Sequence, residues 1–199
     1  ILPEIAKEVG ASAVYASKEI AQEEAQIEKS MEQALFSAGI GLEFFWESTL
    51  YHIEDLPFPL GNLPDIFTQF RKKVESMTKV RATFPEPSNL LPLPKIDLGN
   101  IPSLPDLGFT QSEETDKRSV LSFEGGETAG KNRLHHYFWE TDAIQVYKET
   151  RNGLLGADYS SKFSPWLALG CLSPRYIFEE IARYEQKRVK NDSTYWLIF

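Results

Sequence analysis

Residues 12–48, SAVYASKEIAQEEAQIEKSMEQALFSAGIGLEFFWES, place a strand-like run on each side of a helical one. SAVYAS at 12–17 reads as a short buried strand, and LEFFWES at 42–48 as the next. Between them Ile20, Ile27, Met31 and Leu35 recur at helical intervals, and Gly39 supplies the stop. Upstream, Leu2, Ile5, Ala6 and Val9 keep helical spacing until Gly10. Helix, strand, helix, strand predicts an α/β piece with parallel strands joined by a right-handed crossover. A third helix is expected from near Pro64, with Ile66, Phe70, Val74 and Met77 on one face and Arg71, Lys72 and Lys73 mostly on the other.

From about Lys79 to Gly126 the periodicity dissolves. Pro85, Pro87, Pro92, Pro94, Pro102 and Pro105, with the polar run TQSEETDKRS, describe an irregular connection rather than an ordinary loop. Beyond it, 127–149 and 174–189 read as helices, the second with an apolar stripe of Ile177, Ile181 and Tyr184. The expected organisation is α/β followed by all-α: a domain over 1–78, a Pro-rich linker over 79–126 and a helical domain over 127–199.

Composition sets limits on function. The chain has 199 residues, 42% of them hydrophobic, which is ample core material for one large or two small domains. Its single cysteine excludes an internal disulfide and suits a reducing compartment. Three histidines, two adjacent, make no metal-ligand spacing, so no metal is expected. No apolar run approaches a membrane span, and the start lacks a secretory layout, so an intracellular protein without membrane attachment is expected. The net charge of -8 is uneven, since residues 1–126 carry 11 Lys or Arg against 20 Asp or Glu, and residues 127–199 carry 10 against 9. Any nucleic-acid contact is therefore expected in the later part or outside this chain.

The stretch Tyr147–Arg175, YKETRNGLLGADYSSKFSPWLALGCLSPR, carries the functional signal. Ser160, Ser161, Lys162, Phe163 and Ser164 run into Pro165, and Ser before Pro predicts a helix start. Unpaired N–H groups there, beside hydroxyls and a lysine, suit an anion. This segment closely resembles the cofactor-binding stretch of the photolyase/cryptochrome family, and most closely its DASH branch. GGETAGKNRLHHYFWETDAIQVYKETRNG from Gly125, LSPRYIFEEIARYEQKRVKNDSTYW from Leu172, FFWESTLYHIEDLPF and NLPDIFTQFRKKVE are similar in wording.

The resemblance implies a partial Rossmann-like parallel-sheet domain followed by the start of a helical domain that holds FAD without a covalent bond. It assigns phosphate contacts to Ser160, Ser161, Lys162, Phe163 and Ser164, and a flavin-nucleotide contact to Tyr147. The spacing from Tyr147 to Ser160 is a residue longer than in some photolyases and suits the DASH wording. Lys148 and Arg151 read as solvated charges at a helix end. A second cofactor, an antenna folate such as methenyltetrahydrofolate, would use a carboxylate in KEIAQEE, so Glu23 or Glu24 is the candidate. Two glutamates in the first turn of a helix are also ordinary charge placement. Trp46, Trp139, Trp166 and Trp196 receive no electron-relay role, and Trp166 and Trp196 read as core anchors.

The activity so implied is blue-light-driven repair of cyclobutane pyrimidine dimers, in single-stranded DNA for this branch, where flipping a base out is less costly. The alternatives are a blue-light photoreceptor that signals to a partner protein, and an inactive truncated product. Ile1 and the apolar run up to Phe199 suggest cut ends, so the isolated chain is expected to bind FAD weakly and to be poorly soluble. Family members occur in organelles, nucleus and cytoplasm, and nothing in the residues selects among these.

Overall fold

The computed structural model describes all residues except 91, 98, 111–115, 117 and 190–199; Trp196 and part of the TQSEETDKRS run lie outside the described residues. The chain divides into two compact units, Ile1–Ile101 and Pro102–Phe199.

The first unit begins with α1 (Leu2–Glu8), β1 (Ala13–Ser17), α2 (Gln22–Ser37) and β2 (Gly41–Phe45). The strands pair in parallel, with Ala13 opposite Gly41 and Ser17 opposite Phe45, as the alternating order of elements predicts. Period-two alternation turns Val14 and Ala16, with Leu42 and Phe44, toward the more covered side. Tyr15 and Phe45 meet on the other side with ring centroids 5.9 Å apart. Leu35 on α2 seals a small cluster with Ala6 and Ile40.

Element boundaries shift where side chains capture backbone groups. β2 ends before Ser48, because Trp46 Nε1 donates to Thr49 Oγ1 at 2.6 Å and that hydroxyl donates to the Tyr51 carbonyl at 2.6 Å. α2 starts at Gln22 and excludes Ile20, which is exposed. Glu28, a full turn inside α2, reaches back to accept the Glu19 N–H at 2.8 Å and the Lys18 ammonium, fixing an extended entry to the helix. α3 (Phe67–Met77) opens later than Pro64 and buries Val74.

The second unit is helical. Within 79–126 the only regular element among the described residues is a 3-10 turn at Pro105–Leu107. The end of this stretch lies against the second unit's core: Leu121 packs on it, Phe123 sits 5.4 Å from the Trp166 ring, and Trp166 Nε1 donates to the Glu124 carbonyl at 2.9 Å. Trp166 is thus a core anchor, as its size suggests.

The helix expected over 127–149 is broken. α4 (Glu127–His135) passes into a π-helical turn (His136–Glu140), then a 3-10 turn (Ala143–Val146) and the single-turn α5 (Tyr147–Thr150). The wider turn buries the consecutive rings of Tyr137 and Phe138 together, which a regular helix face does not do. Asp142 follows at φ 52°, a conformation Asp tolerates, with its carboxylate accepting the Tyr184 hydroxyl at 2.6 Å and pairing with Arg188. Two more helices, α6 (Ser164–Ala168) and α7 (Pro174–Arg188), follow among the described residues. α7 buries the predicted stripe of Ile177, Ile181 and Tyr184. Gly130 lets α4 approach closely, since a Cβ there would stand 2.9 Å from Leu172 Cγ and 3.1 Å from the Trp166 ring.

Candidate functional site

The loop between α5 and α6 is shaped by one buried cation. Arg133, projecting from α4, donates from Nε to the Ser161 carbonyl at 3.0 Å and from Nη2 to the carbonyls of Ala157 at 2.9 Å and Ser160 at 3.1 Å. Its Nη1 meets Asp158 Oδ1 at 2.7 Å. Four acceptors on one guanidinium fork gather residues 157–161 into a single curve, which a lysine, as a point donor, does not match. The Arg133 side chain is only 5% exposed, so its charge is satisfied by this loop and not by water.

With these carbonyls turned inward to Arg133, the donors of the segment are left over. Among the described residues, no backbone carbonyl accepts from the N–H groups of Ser160 through Ser164, and none makes a hydrogen bond to the hydroxyls of Ser160, Ser161 or Ser164. Lys162 adopts φ 61°, left-handed for a non-glycine residue, and Phe163 follows in the right-handed region at φ -76°, ψ -16°. Successive residues of opposite hand point their N–H groups into one concavity, an arrangement that binds anions. Such a conformation at lysine costs on the order of 1 kcal/mol and persists only where its surroundings over-determine it. Here Arg133 pins the loop before Lys162, and the buried Phe163 ring anchors it after, 6.2 Å from Tyr137 and 5.9 Å from Phe138. The Lys162 ammonium lies 3.4 Å from the centroid of the Tyr159 ring.

The expected site residues thus fall into different roles. Ser160, Ser161 and Lys162 on the loop and Ser164 at the start of α6 are partly or fully exposed, whereas Phe163 is core and offers a ligand only its main chain. Ser164 is the first residue of α6 rather than its cap: Phe163 occupies the cap position, and no side chain caps the helix. Tyr147 opens α5, half-buried against the core. Its phenol lies close enough to that of Tyr137 to raise the latter further. Burial chiefly, with Tyr147 and Asp158, pushes the Tyr137 hydroxyl well above the usual phenol range, and Arg133 pulls it back. Lys148 and Arg151 are exposed.

His136 and Asp158 frame the other side of Arg133. His136 Nδ1 lies 2.8 Å from Glu140 Oε2, and its Nε2 lies 3.4 Å from Asp158 Oδ2. Partial burial pushes the Asp158 carboxyl up, but Arg133 and His136 outweigh it and hold it below the usual carboxylate range. The reading by motif missed Arg133, His136 and Asp158. The Arg lies 25 residues before its Asp partner, and no local pattern reports that pairing.

The carboxylates proposed for an antenna lie in the first unit. Glu23 and Glu24 both occupy the first turn of α2. Glu23 lines an apolar groove of 780 Å³ with Leu2, Ile27 and Met31. Glu24 is half-buried, and its Oε2 is fully buried without a hydrogen-bond partner among the described residues. Glu28, the buried carboxylate of this helix, is consumed by Lys18 and the Glu19 N–H. No helix among the described residues is long and apolar enough to cross a membrane.

The chain is similar to known proteins in both sequence and fold. The DNA photolyase family profile matches residues 1–88. Cryptochrome DASH of Synechocystis sp. is 53% identical over 200 residues, covering 100% of this chain and 40% of that protein. Cryptochrome DASH, chloroplastic/mitochondrial, of Arabidopsis thaliana is 50% identical over 202 residues, covering 100% of this chain and 35% of that protein. The crystal structure of the Synechocystis cryptochrome superposes with a TM-score of 0.91 at 53% identity, across 100% of this chain and 41% of that one. The chain therefore spans about 40% of the length of these relatives. Across all 199 residues the chain thus shares the fold and about half the residues of the cryptochrome DASH proteins, and its first 88 residues match the DNA photolyase family.

Proposed function

We propose that residues 157–164 hold the diphosphate of FAD in a blue-light-driven flavoprotein of the cryptochrome DASH type, acting on cyclobutane pyrimidine dimers in single-stranded DNA. The observation that carries this reading is the loop itself: Arg133 takes the carbonyls, and left-handed Lys162 turns the neighbouring N–H groups to one side. Those N–H groups, three serine hydroxyls and the Lys162 ammonium form a donor set suited to a doubly charged diphosphate. Tyr147 would contact the nucleotide from the start of α5. When bound, flavin supplies the light-absorbing electron donor, and the protein's part is to hold it and exclude water. A folate antenna at Glu23 or Glu24 belongs to the same reading, since a carboxylate accepts a pterin's paired N–H donors side by side.

The test is made on the complete gene product that contains this chain. We expect stoichiometric flavin after purification and light-dependent restoration of thymines in dimer-containing single-stranded DNA. Flavin that photoreduces without repair would assign the protein to light sensing instead. Absence of flavin at any added FAD concentration would remove the nucleotide reading of 157–164.

A further inference from the structure

His136 joins two segments through two carboxylates. Glu140 lies four residues on, across the π-helical turn, and Asp158 belongs to the loop that Arg133 gathers. A neutral imidazole has one N–H, so it donates to one carboxylate and turns a lone pair toward the other; the protonated ring donates to both. Asp158 spends its second oxygen on Arg133, whose remaining N–H groups hold the Ala157, Ser160 and Ser161 carbonyls. The proton on His136 is therefore coupled, through one carboxylate, to the grip on the loop.

We propose that His136 is a positioning residue for the nucleotide cradle: its proton completes a Glu140–His136–Asp158 bridge that sets Arg133 and the loop, and its loss weakens nucleotide binding. This inference rests on the reading of 157–164 as a diphosphate site. The charged groups facing the ring are Glu140, Asp158 and Arg133, with His135 also within 3.9 Å of Glu140. Chiefly through Glu140, and with Asp158 adding to it, the ring is held above its ordinary value of 6.5 against opposition from burial and Arg133. The bridge is therefore complete below that pH and is lost as pH rises through the higher folded value. Both side chains are about 40% exposed, so screening limits the effect to roughly two- to five-fold in affinity.

The experiment measures FAD affinity of the complete gene product by flavin fluorescence from pH 6 to about 8.5, a window set by the histidine titration. Wild type is expected to weaken roughly two- to five-fold across it. His136→Gln is expected to be flat, and Asp158→Asn to flatten the profile although its histidine still titrates. In the same proteins, the His136 ring resonance, identified by its disappearance in His136→Gln, is expected to titrate lower in Asp158→Asn. A flat wild-type profile, a His136→Gln protein that keeps the slope, or a ring midpoint indifferent to Asp158→Asn overturns the proposal. Failure of wild type to bind FAD at pH 6, with the ring midpoint still set by Asp158, instead overturns the nucleotide reading and confines the bridge to shaping the loop.

Discussion

Ile1–Ile101 closes a parallel strand pair over a cluster of Ala6, Leu35 and Ile40, while Pro102–Phe199 joins Leu134, Tyr137, Phe138, Ile144, Phe163 and Trp166 with the buried face of α7 in one continuous core. The first unit leaves Tyr15, Ile27 and Phe36 more than 60% exposed, and both of its described strands are sheet edges. Strained backbone follows the same division. The two left-handed non-glycine residues among the described ones, Asp142 and Lys162, both belong to the second unit, where buried aromatics and Arg133 hold their surroundings. A loop with oriented donors needs such a base, and the sparse unit has none to offer.

The comparison breaks most directly at its cores. Phe138→Ala should cost the second unit about 3–5 kcal/mol, seen as a lower urea midpoint by tryptophan fluorescence. Leu35→Ala should cost a similar amount, about 2–5 kcal/mol, but abolish cooperative folding of the first unit altogether. The contrast fails if Leu35→Ala still gives a sharp transition with Trp46 as the probe.

Arg133→Lys probes the next level, the link between core and loop. A lysine keeps the charge yet cannot serve four acceptors in the guanidinium geometry, so about 2–3 kcal/mol of stability should go, through buried carbonyls left unpaired. FAD affinity should fall with it. A variant as stable as wild type would mean that the loop holds its curve without the clamp. Gly130→Ala should cost about 1–3 kcal/mol by overpacking α4 on Leu172 and Trp166, and its urea midpoint checks that value.

What was legible in the residues follows from where each interaction lies. Parallel β1 and β2, α2 between them and the stripe of α7 were readable because apolar periodicity is local. The helix over 127–149 was not, because its break answers to Tyr184 and Arg188, more than 40 residues away, which capture Asp142. The same limit governs the site. The run Ser160–Ser164 stood out as a motif, but the buried role of Phe163 and the grip of Arg133 depend on contacts across the unit. Glu28 was hidden in another way, as one glutamate among several on α2, distinguished only by Lys18 and Glu19 folding back onto it.

Acid separates the units in a gentler way. Lys18 and the Glu19 N–H hold the Glu28 carboxyl below its ordinary value of 4.5. Its contribution to the first unit is therefore present above that pH and is lost as pH falls through the lower folded value. Trp46 fluorescence should report loosening on acidification below about pH 4.5, and Glu28→Gln should remove that dependence.

The smallest effect is also the one that separates conformation from charge in the cradle. Lys162→Gly keeps φ 61° accessible and relieves a left-handed side chain, so the second unit should gain up to about 1 kcal/mol despite losing the contact with the Tyr159 ring. FAD binding should nevertheless weaken, because the ammonium is gone while the N–H concavity remains. Lys162→Ala loses the same charge but keeps the strain, so it should be less stable than the glycine variant and bind no better. Equal stability of the two variants in urea would show that the left-handed turn carries no strain, and the argument that a rich core sustains it would fail. Undiminished FAD affinity in both would leave the main-chain N–H groups and serine hydroxyls as the diphosphate's whole donor set.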